Sequence, residues 1–375
     1  MTPHMTQSKK PDYIFLTTLA LFVVFGLIML TSASGPLAYQ KFSDSYWYIK
    51  HQLLFGLVPG GILFFLFAKI DYRHWRRVAP FLLPLSVLLL VSVFVPGVRA
   101  SWGSSRSWVK LGPFSLQPIE CVKLFLLIYF AYWFERRTAK DLQSIERGLL
   151  PFLVVFGVCA ALIMAQPDLG GLVILTVIAF SMYFMAGAPL KYFGGLALLG
   201  MAGAGWLIKS APYRLARLST FMHPELDPKG VGYQINQAFL AIGSGGFFGL
   251  GLGRSRQKFL YLPEVAGDSI FAIMAEELGF FVMIGFLALL VFFIYRLTII
   301  AKNAPDAFGR YITIGIAAWI FFQALCNIGS MVGVLPLTGL PLPFVSYGGT
   351  SLTVLLAAMG IVTNISRQTS AVVPR

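Results

Sequence analysis

Residues Asp268–Tyr295 read DSIFAIMAEELGFFVMIGFLALLVFFIY. The run exceeds the roughly 20 residues that carry a helix across a hydrocarbon core, and its only charges are Asp268, Glu276 and Glu277. An acid at membrane depth costs about 3 kcal/mol on insertion scales and is a functional-site candidate by default. Asp268 opens the run, where water and a polar substrate reach it. Glu276 and Glu277 lie inside the helix, where packing, protonation or pairing with Lys123 or an Arg is expected before substrate contact.

Working outward from this helix, the rest of the chain is of the same kind. The 375 residues are 57% hydrophobic and 12% charged, with a mean hydropathy of +0.77, the composition of a polytopic membrane protein. Apolar windows near 13–31, 51–68, 78–95, 118–134, 148–165, 169–190, 192–208, 268–295, 311–333 and 345–366 predict an all-α membrane protein of about ten transmembrane helices. The windows 51–68 and 118–134 are short for a span. The first run is too long for a signal-peptide core and has no convincing cleavage site after Ser34, so it reads as a retained helix. The chain reads as one membrane domain, 1–375, with one large excursion, 209–267, between the seventh and eighth predicted spans.

Lys and Arg in the loops give an orientation. With the N-terminus inside, sixteen fall in cytoplasmic segments, among them Arg73, Arg76, Arg136, Arg137, Arg296 and Lys302, against Lys41, Lys50, Arg99, Arg106 and Lys110 in short outer loops. An even number of spans returns the C-terminus to the cytoplasm. Anionic lipid accounts for the inner share of the +14 net charge. It does not account for Lys209, Arg214, Arg217, Lys229, Arg254, Arg256 and Lys258 in the long outer excursion, which suit an anionic ligand such as a lipid diphosphate. No soluble basic domain is present to carry nucleic acid. Cys121, Cys159 and Cys326 sit in apolar runs as small core residues, and the four histidines show no ligand spacing, so no metal site is expected.

Five further stretches carry chemistry. Gly243–Gly253, GSGGFFGLGLG, holds six glycines but has no following Gly-Lys-Ser/Thr, which excludes a phosphate-binding P-loop and favours re-entrant backbone lining a cavity. The excursion around it is long enough to be functional, and its apolar and aromatic residues predict an ordered loop folded back onto the membrane surface. In Gln117–Lys123, QPIECVK, Glu120 and Lys123 share one helix face at i and i+3. A buried ion pair and a phosphate contact through Lys123 are both open. In Gln166–Gly171, QPDLGG, Asp168 reads first as a helix cap. Arg214 and Arg217 would share a face of an interfacial helix, as solvated anchors or as a diphosphate clamp. Near the C-terminus, Pro336–Ser351 reads PLTGLPLPFVSYGGTS, three prolines and a Ser-Tyr-Gly-Gly turn whose irregular backbone must line a cavity or be covered by protein.

Taken together, QPIECVK, QPDLGG, YRLARLSTFMHPELDPKGVGYQINQAFLAIGSGGFFGLGLGRSRQKFLYLPE, GDSIFAIMAEELG and PLPFVSYGGTS resemble the shape, elongation, division and sporulation family from the first helix to the last. RSRQKFLYLPE is closer to the division branch than to the elongation branch. One departure is that relatives commonly carry His-Thr before the acid, where this chain has Ala266-Gly267.

The resemblance implies a peptidoglycan glycosyltransferase that polymerises lipid II into glycan strands on the outer face of the cytoplasmic membrane, at the division septum. It implies Asp268 as general base, and Arg214, Arg217, Lys258 and Lys123 as contacts for the lipid diphosphate. Glu120 beside Lys123, and Ser346, Tyr347 and Gly348 of the C-terminal turn, complete the expected substrate-binding set. A divalent cation, Mg2+ or Mn2+, would assist the diphosphate, although no dedicated ligand set is visible. Implied partners are lipid II, the growing glycan, membrane lipid, a class B penicillin-binding protein with transpeptidase activity, and other division proteins. The alternatives are a lipid II flippase, an elongation-type polymerase and a non-catalytic scaffold. A flippase needs polar groups along a route through the bilayer, whereas an enzyme needs them gathered at the outer side.

Overall fold

The computed structural model describes residues 10–97, 99–102, 105–111, 114–196, 200 and 230–368. They form a nearly all-helical bundle. Helices α1 (Tyr13–Phe42), α2 (Trp47–Lys69), α3 (His74–Ser92), α5 (Ile145–Ala165), α8 (Ile270–Lys302), α9 (Ala307–Met331) and α10 (Gly349–Gln368) are long and apolar enough to cross a membrane. Helix α4 (Pro118–Glu135) carries Glu120, Lys123 and Glu135 along 18 residues, and α6 (Leu169–Met185) is a shorter apolar helix. Helix α7 (Val231–Gly245) lies within the long excursion. The predicted span 192–208 is helical through residue 196, and most of the rest lies outside the described residues.

Helices α9 and α10 are buried on most of their surface, whereas α2, α3 and α5 leave most of theirs open to lipid. The α2–α10 contact shows how sequence sets such packing. A Cβ on Gly60 would come within 2.8 Å of Leu356 Cδ1, and one on Gly360 within 2.5 Å of Phe64 O, the close backbone approach that small residues permit between membrane helices. Pro59 follows a π-helical turn at Leu53–Leu57 and has no N–H to donate. The hydroxyl of Thr353 donates instead to Phe55 O and Gly56 O, both at 3.2 Å.

Charged residues tie one end of the bundle together. Arg76 pairs with Glu135 at 2.7 Å and Asp306 at 3.0 Å, Arg296 pairs with Asp12, and Arg73 donates to Gln368 Oε1 at 2.6 Å. These contacts gather the starts of α1, α3 and α9 with the ends of α4, α8 and α10. The opposite end carries a feature that hydropathy did not reveal. Strands β1 (Arg99–Trp102), β2 (Ser105–Leu111) and β3 (Phe114–Leu116) form an antiparallel sheet in the order β1-β2-β3, with Arg99 opposite Val109 and Val109 opposite Leu116. The Thr350 hydroxyl at the start of α10 donates to Ser115 O at 3.4 Å.

Irregular backbone enters the bundle in two places. Gly249, Gly251 and Gly279 all have positive φ, and α8 breaks its helical geometry at Gly279 (φ 74°, ψ 177°). At that break, Leu250 N and Gly251 N donate to Glu276 O and Glu277 O at 3.0 Å, and Phe280 N returns a bond to Gly246 O at 2.9 Å. The glycine-rich loop therefore docks backbone to backbone along α8. A Cβ on Gly279 would sit 2.1 Å from Gly249 N, so the two chains meet only because side chains are missing. The second entry is the proline-rich segment: Phe344 O would lie 2.3 Å from a Cβ on Gly26, partway along α1. The Phe344 ring packs among Phe22 and Phe293, so protein covers this backbone, as the sequence required.

Candidate active site

Asp268 lies at the end opposite the Arg76 and Arg296 pairs, two residues before α8. The turn that carries it closes on Glu264, whose carbonyl accepts from Gly267 N at 2.9 Å and Ser269 N at 3.2 Å. The C-terminal turn then fastens this loop. Ser346 Oγ donates to Gly267 O at 2.7 Å and accepts from Leu342 N at 2.8 Å, while Tyr347 N donates to Ala266 O at 2.8 Å. Gln52 of α2 accepts from Gly348 N at 3.0 Å and donates to Ser346 O at 3.4 Å. Ser346 and Tyr347, expected to bind substrate, thus hold the Asp268 turn in place, while Gly348, expected beside them, bonds Gln52. The bonds to positions 266 and 267 use backbone carbonyls, so the fastening does not depend on the His-Thr side chains that relatives commonly carry there.

The Asp268 carboxyl is half-buried. Gln234 Nε2 bridges Asp268 Oδ1 at 3.2 Å and Ser269 Oγ at 2.9 Å, and Asn327 Nδ2 donates to Asp268 O and Leu340 O, both at 2.8 Å. Burial, reinforced by the charge of Glu264, pushes the Asp268 carboxyl from 3.8 up to about 7, against the pull of the Gln234 and Ser269 hydrogen bonds. A carboxyl titrating near neutrality is suited to taking a proton and giving it up again.

A polar chain runs from this turn into the bundle. Gln323, one helical turn before Asn327 on α9, donates to Pro341 O at 2.9 Å, and its Oε1 accepts from Lys123 Nζ at 3.2 Å and Trp319 Nε1 at 2.7 Å. Lys123 is fully buried, 2.7 Å from Glu120 and 4.7 Å from the centre of the Trp319 ring. The Glu120–Lys123 pair therefore exists as the spacing suggested, and it connects to Asp268 through Gln323, Asn327 and the carbonyls of 340–341. Asp168 caps α6, accepting from Gly171 N at 2.8 Å, which is the capping role its position suggested.

Lys258 stands differently from its expected place on a diphosphate. It is buried, with Nζ 2.8 Å from Glu277 Oε1 and 3.3 Å from Ser32 Oγ. The cause is the chain's path. Once the glycine-rich loop has entered alongside α8, residues 255–258 pass directly over the two glutamates. Glu276 accepts from the Ser255 hydroxyl, from Arg256 N at 3.0 Å and from Gln257 N at 3.3 Å. Ser32 Oγ donates to Glu277 at 2.6 Å. Glu276 and Glu277 thus organise the loop, and the partner of Glu277 is Lys258, neither Lys123 nor an Arg. Arg214 and Arg217 lie outside the described residues.

Sequence reasoning missed Gln52, Gln234, Gln323 and Asn327. The last two carried a signal, a Gln and an Asn four residues apart inside the apolar run of α9, which a search for charges alone passes over. Among the described residues, no three His, Cys, Asp or Glu side chains are grouped to hold a metal ion.

The family model described as Cell cycle protein, for FtsW, RodA and SpoVE, matches residues 12–371. Stage V sporulation protein E of Bacillus subtilis is 42% identical over 364 residues, 96% of this chain and 98% of that protein. A probable peptidoglycan glycosyltransferase FtsW of Trichlorobacter lovleyi is 38% identical over 355 residues, 95% and 93% of the two chains. Among solved structures, a chain of a peptidoglycan synthase complex that coordinates polymerization and crosslinking superposes with a TM-score of 0.79 at 28% identity, covering 96% of this chain and 99% of that one. The rod shape determining protein RodA of Thermus thermophilus gives a TM-score of 0.70 at 27% identity, covering 96% and 97%.

Proposed function

This chain belongs to the FtsW, RodA and SpoVE family of cell cycle proteins, and we propose that it is a peptidoglycan glycosyltransferase that polymerises lipid II. The observation that carries this reading is the position of Asp268, on a turn pinned by Ser346 and Tyr347, at the end of the bundle away from the arginine-rich ion pairs, where burial pushes its carboxyl up to about 7. If the arginine-rich end faces the cytoplasm, as the loop charges indicate, the acid faces outward.

In this reading Asp268 takes the proton from the 4-hydroxyl of the acceptor sugar. The oxygen attacks the anomeric carbon of the donor, and the bond to the lipid diphosphate breaks with its electron pair leaving on the diphosphate. The donor already carries a good leaving group, so a second carboxylate of the glycosidase kind is not needed. Arg214 and Arg217 are the proposed diphosphate contacts. A divalent cation, Mg2+ or Mn2+, would assist the departing diphosphate. The proposed partner is a class B penicillin-binding protein supplying the crosslinking step, and the proposed location is the cytoplasmic membrane at the septum.

Purified full-length chain given labelled lipid II in detergent, with and without a transpeptidase partner, tests the reading. Glycan polymer is the expected product. Absence of polymer under both conditions, with the protein folded, would refute polymerase activity and leave lipid transport as the reading to pursue.

A further inference from the structure

The two glutamates of α8 present a pair of arginines to the membrane surface. Around Glu276 and Glu277 the segment Arg254–Lys258 divides its side chains between the two sides. Ser255 and Lys258 turn inward onto the carboxylates, and Arg254 and Arg256 turn outward and are exposed. Neither guanidinium has a hydrogen bond or ion pair among the described residues. Both border a cleft of about 490 Å³ lined by Arg254, Ser255, Arg256, Gln257, Phe259 and Tyr261, a volume in the range of small-ligand sites. The backbone beneath the arginines is fixed by bonds from Ser255 N, Arg256 N and Gln257 N to the glutamates.

The depth of this cleft follows from α8. Beyond its break at Gly279 the helix runs from Phe280 to Lys302, about 35 Å at 1.5 Å per residue, against a hydrocarbon core about 30 Å thick. Roughly 20 residues counted back from between Arg296 and Lys302 end between Glu276 and Val282, a bracket that contains the Gly279 break. Phe247, Phe248, Phe280 and Phe281 are exposed at the break, apolar surface for the lipid side. Arg256, whose N–H bonds Glu276 one turn above the break, and Arg254 two residues before it come by this count to the level of lipid phosphates, with the exposed rings of Phe259 and Tyr261 beside them.

We propose that this cleft binds the phosphate head group of an outer-leaflet lipid, with Arg254 and Arg256 as its cationic walls. Planar guanidinium groups that bond two oxygens at once suit a phosphate or diphosphate ester, and the Phe259 and Tyr261 rings suit the acyl or prenyl chain. The site is separate from Asp268. Undecaprenyl diphosphate is also the leaving group in the polymerase reading, so the change between wild type and the Arg254, Arg256 variants, and not retention by wild type, assigns a lipid to this cleft; polymer formation is read separately, so either can fail alone.

The test is a titration of the purified full chain in detergent, followed by native mass spectrometry, with three probes: phosphatidylglycerol, undecaprenyl diphosphate and phosphatidylcholine. Wild type is expected to hold at least one of the two anionic lipids about tenfold more tightly than phosphatidylcholine. The Arg254→Gln, Arg256→Gln double variant should lose that preference by a similar factor at unchanged melting temperature, and the corresponding Lys pair should keep part of it. Retention of both anionic lipids points to bulk phospholipid, and retention of undecaprenyl diphosphate alone to the prenyl carrier. The proposal is overturned if wild type shows no anionic preference or if the folded Gln pair binds as wild type does. Should the pair fail to fold, each single Gln variant is read in its place against the same two outcomes.

Discussion

Replacing Lys123 with Met separates a packing role from a catalytic one. The ammonium is fully buried, 2.7 Å from Glu120 Oε1, and Glu120 Oε2 has no partner of its own. Without Lys123 the carboxylate is an uncompensated charge inside the bundle, a loss of about 3–5 kcal/mol. Gln323 Oε1 keeps its bond from Trp319 at 2.7 Å, so the damage should centre on Glu120. Changing Glu120→Gln as well removes the orphan charge and should restore most of the stability. The assay is chemical unfolding in detergent together with lipid II polymerisation, on both single variants and the double. A Lys123→Met protein within about 1 kcal/mol of wild type would refute the reasoning, since it would mean that Glu120 does not depend on the ammonium. A stable, fully active double variant removes Lys123 from the substrate site, and a stable but inactive one places it there.

Four further outcomes follow from the geometry. Asp268 serves as a base only when deprotonated, so with its carboxyl at about 7 kcat/KM should rise with pH through neutrality and level off above it. Glu264→Gln removes a charge that raises that value, so a pH–rate profile should show the midpoint move down. Lys258→Met leaves Glu277 unpaired and should destabilise the protein by about 3–5 kcal/mol, with rescue when Glu277→Gln is added; thermal unfolding of the two variants checks this, and a stable single variant would return Lys258 to the ligand candidates. Gly279→Ala forces a Cβ against Gly249 N at 2.1 Å on a residue with φ of 74°. It should lower the melting temperature and open the re-entrant loop to proteolysis, an effect absent at Gly285, where a Cβ meets nothing.

What the sequence disclosed and what it hid divide along physical lines. Hydropathy located the long helices because the bilayer imposes a length and a composition on each span separately. The Glu120–Lys123 pair was legible because i and i+3 on a helix are neighbours. The irregular stretches at Gly243–Gly253 and Pro336–Ser351 were legible as re-entrant or covered because their residues disfavour helix at membrane depth. The sheet at 99–116 was hidden because its strands are short and its pairing is set by contacts beyond any local window. Lys258 was assigned outward by its loop's topology, but its direction is decided by where the glycine-rich backbone docks on α8, a long-range contact that spacing does not encode. For the same reason Ser346 and Tyr347 were legible as site residues, while their function as the fastening of the Asp268 turn was not.

Central to the account is the proton that Asp268 removes. Asp268→Asn keeps the size of the side chain and its bond from Gln234 Nε2 through the amide oxygen, so the purified variant should fold and melt as wild type does. Polymerisation of labelled lipid II by this variant, with its partner present, is the direct measurement. The account predicts no glycan polymer from a protein of unchanged melting temperature; polymer formed at a rate near wild type would contradict it.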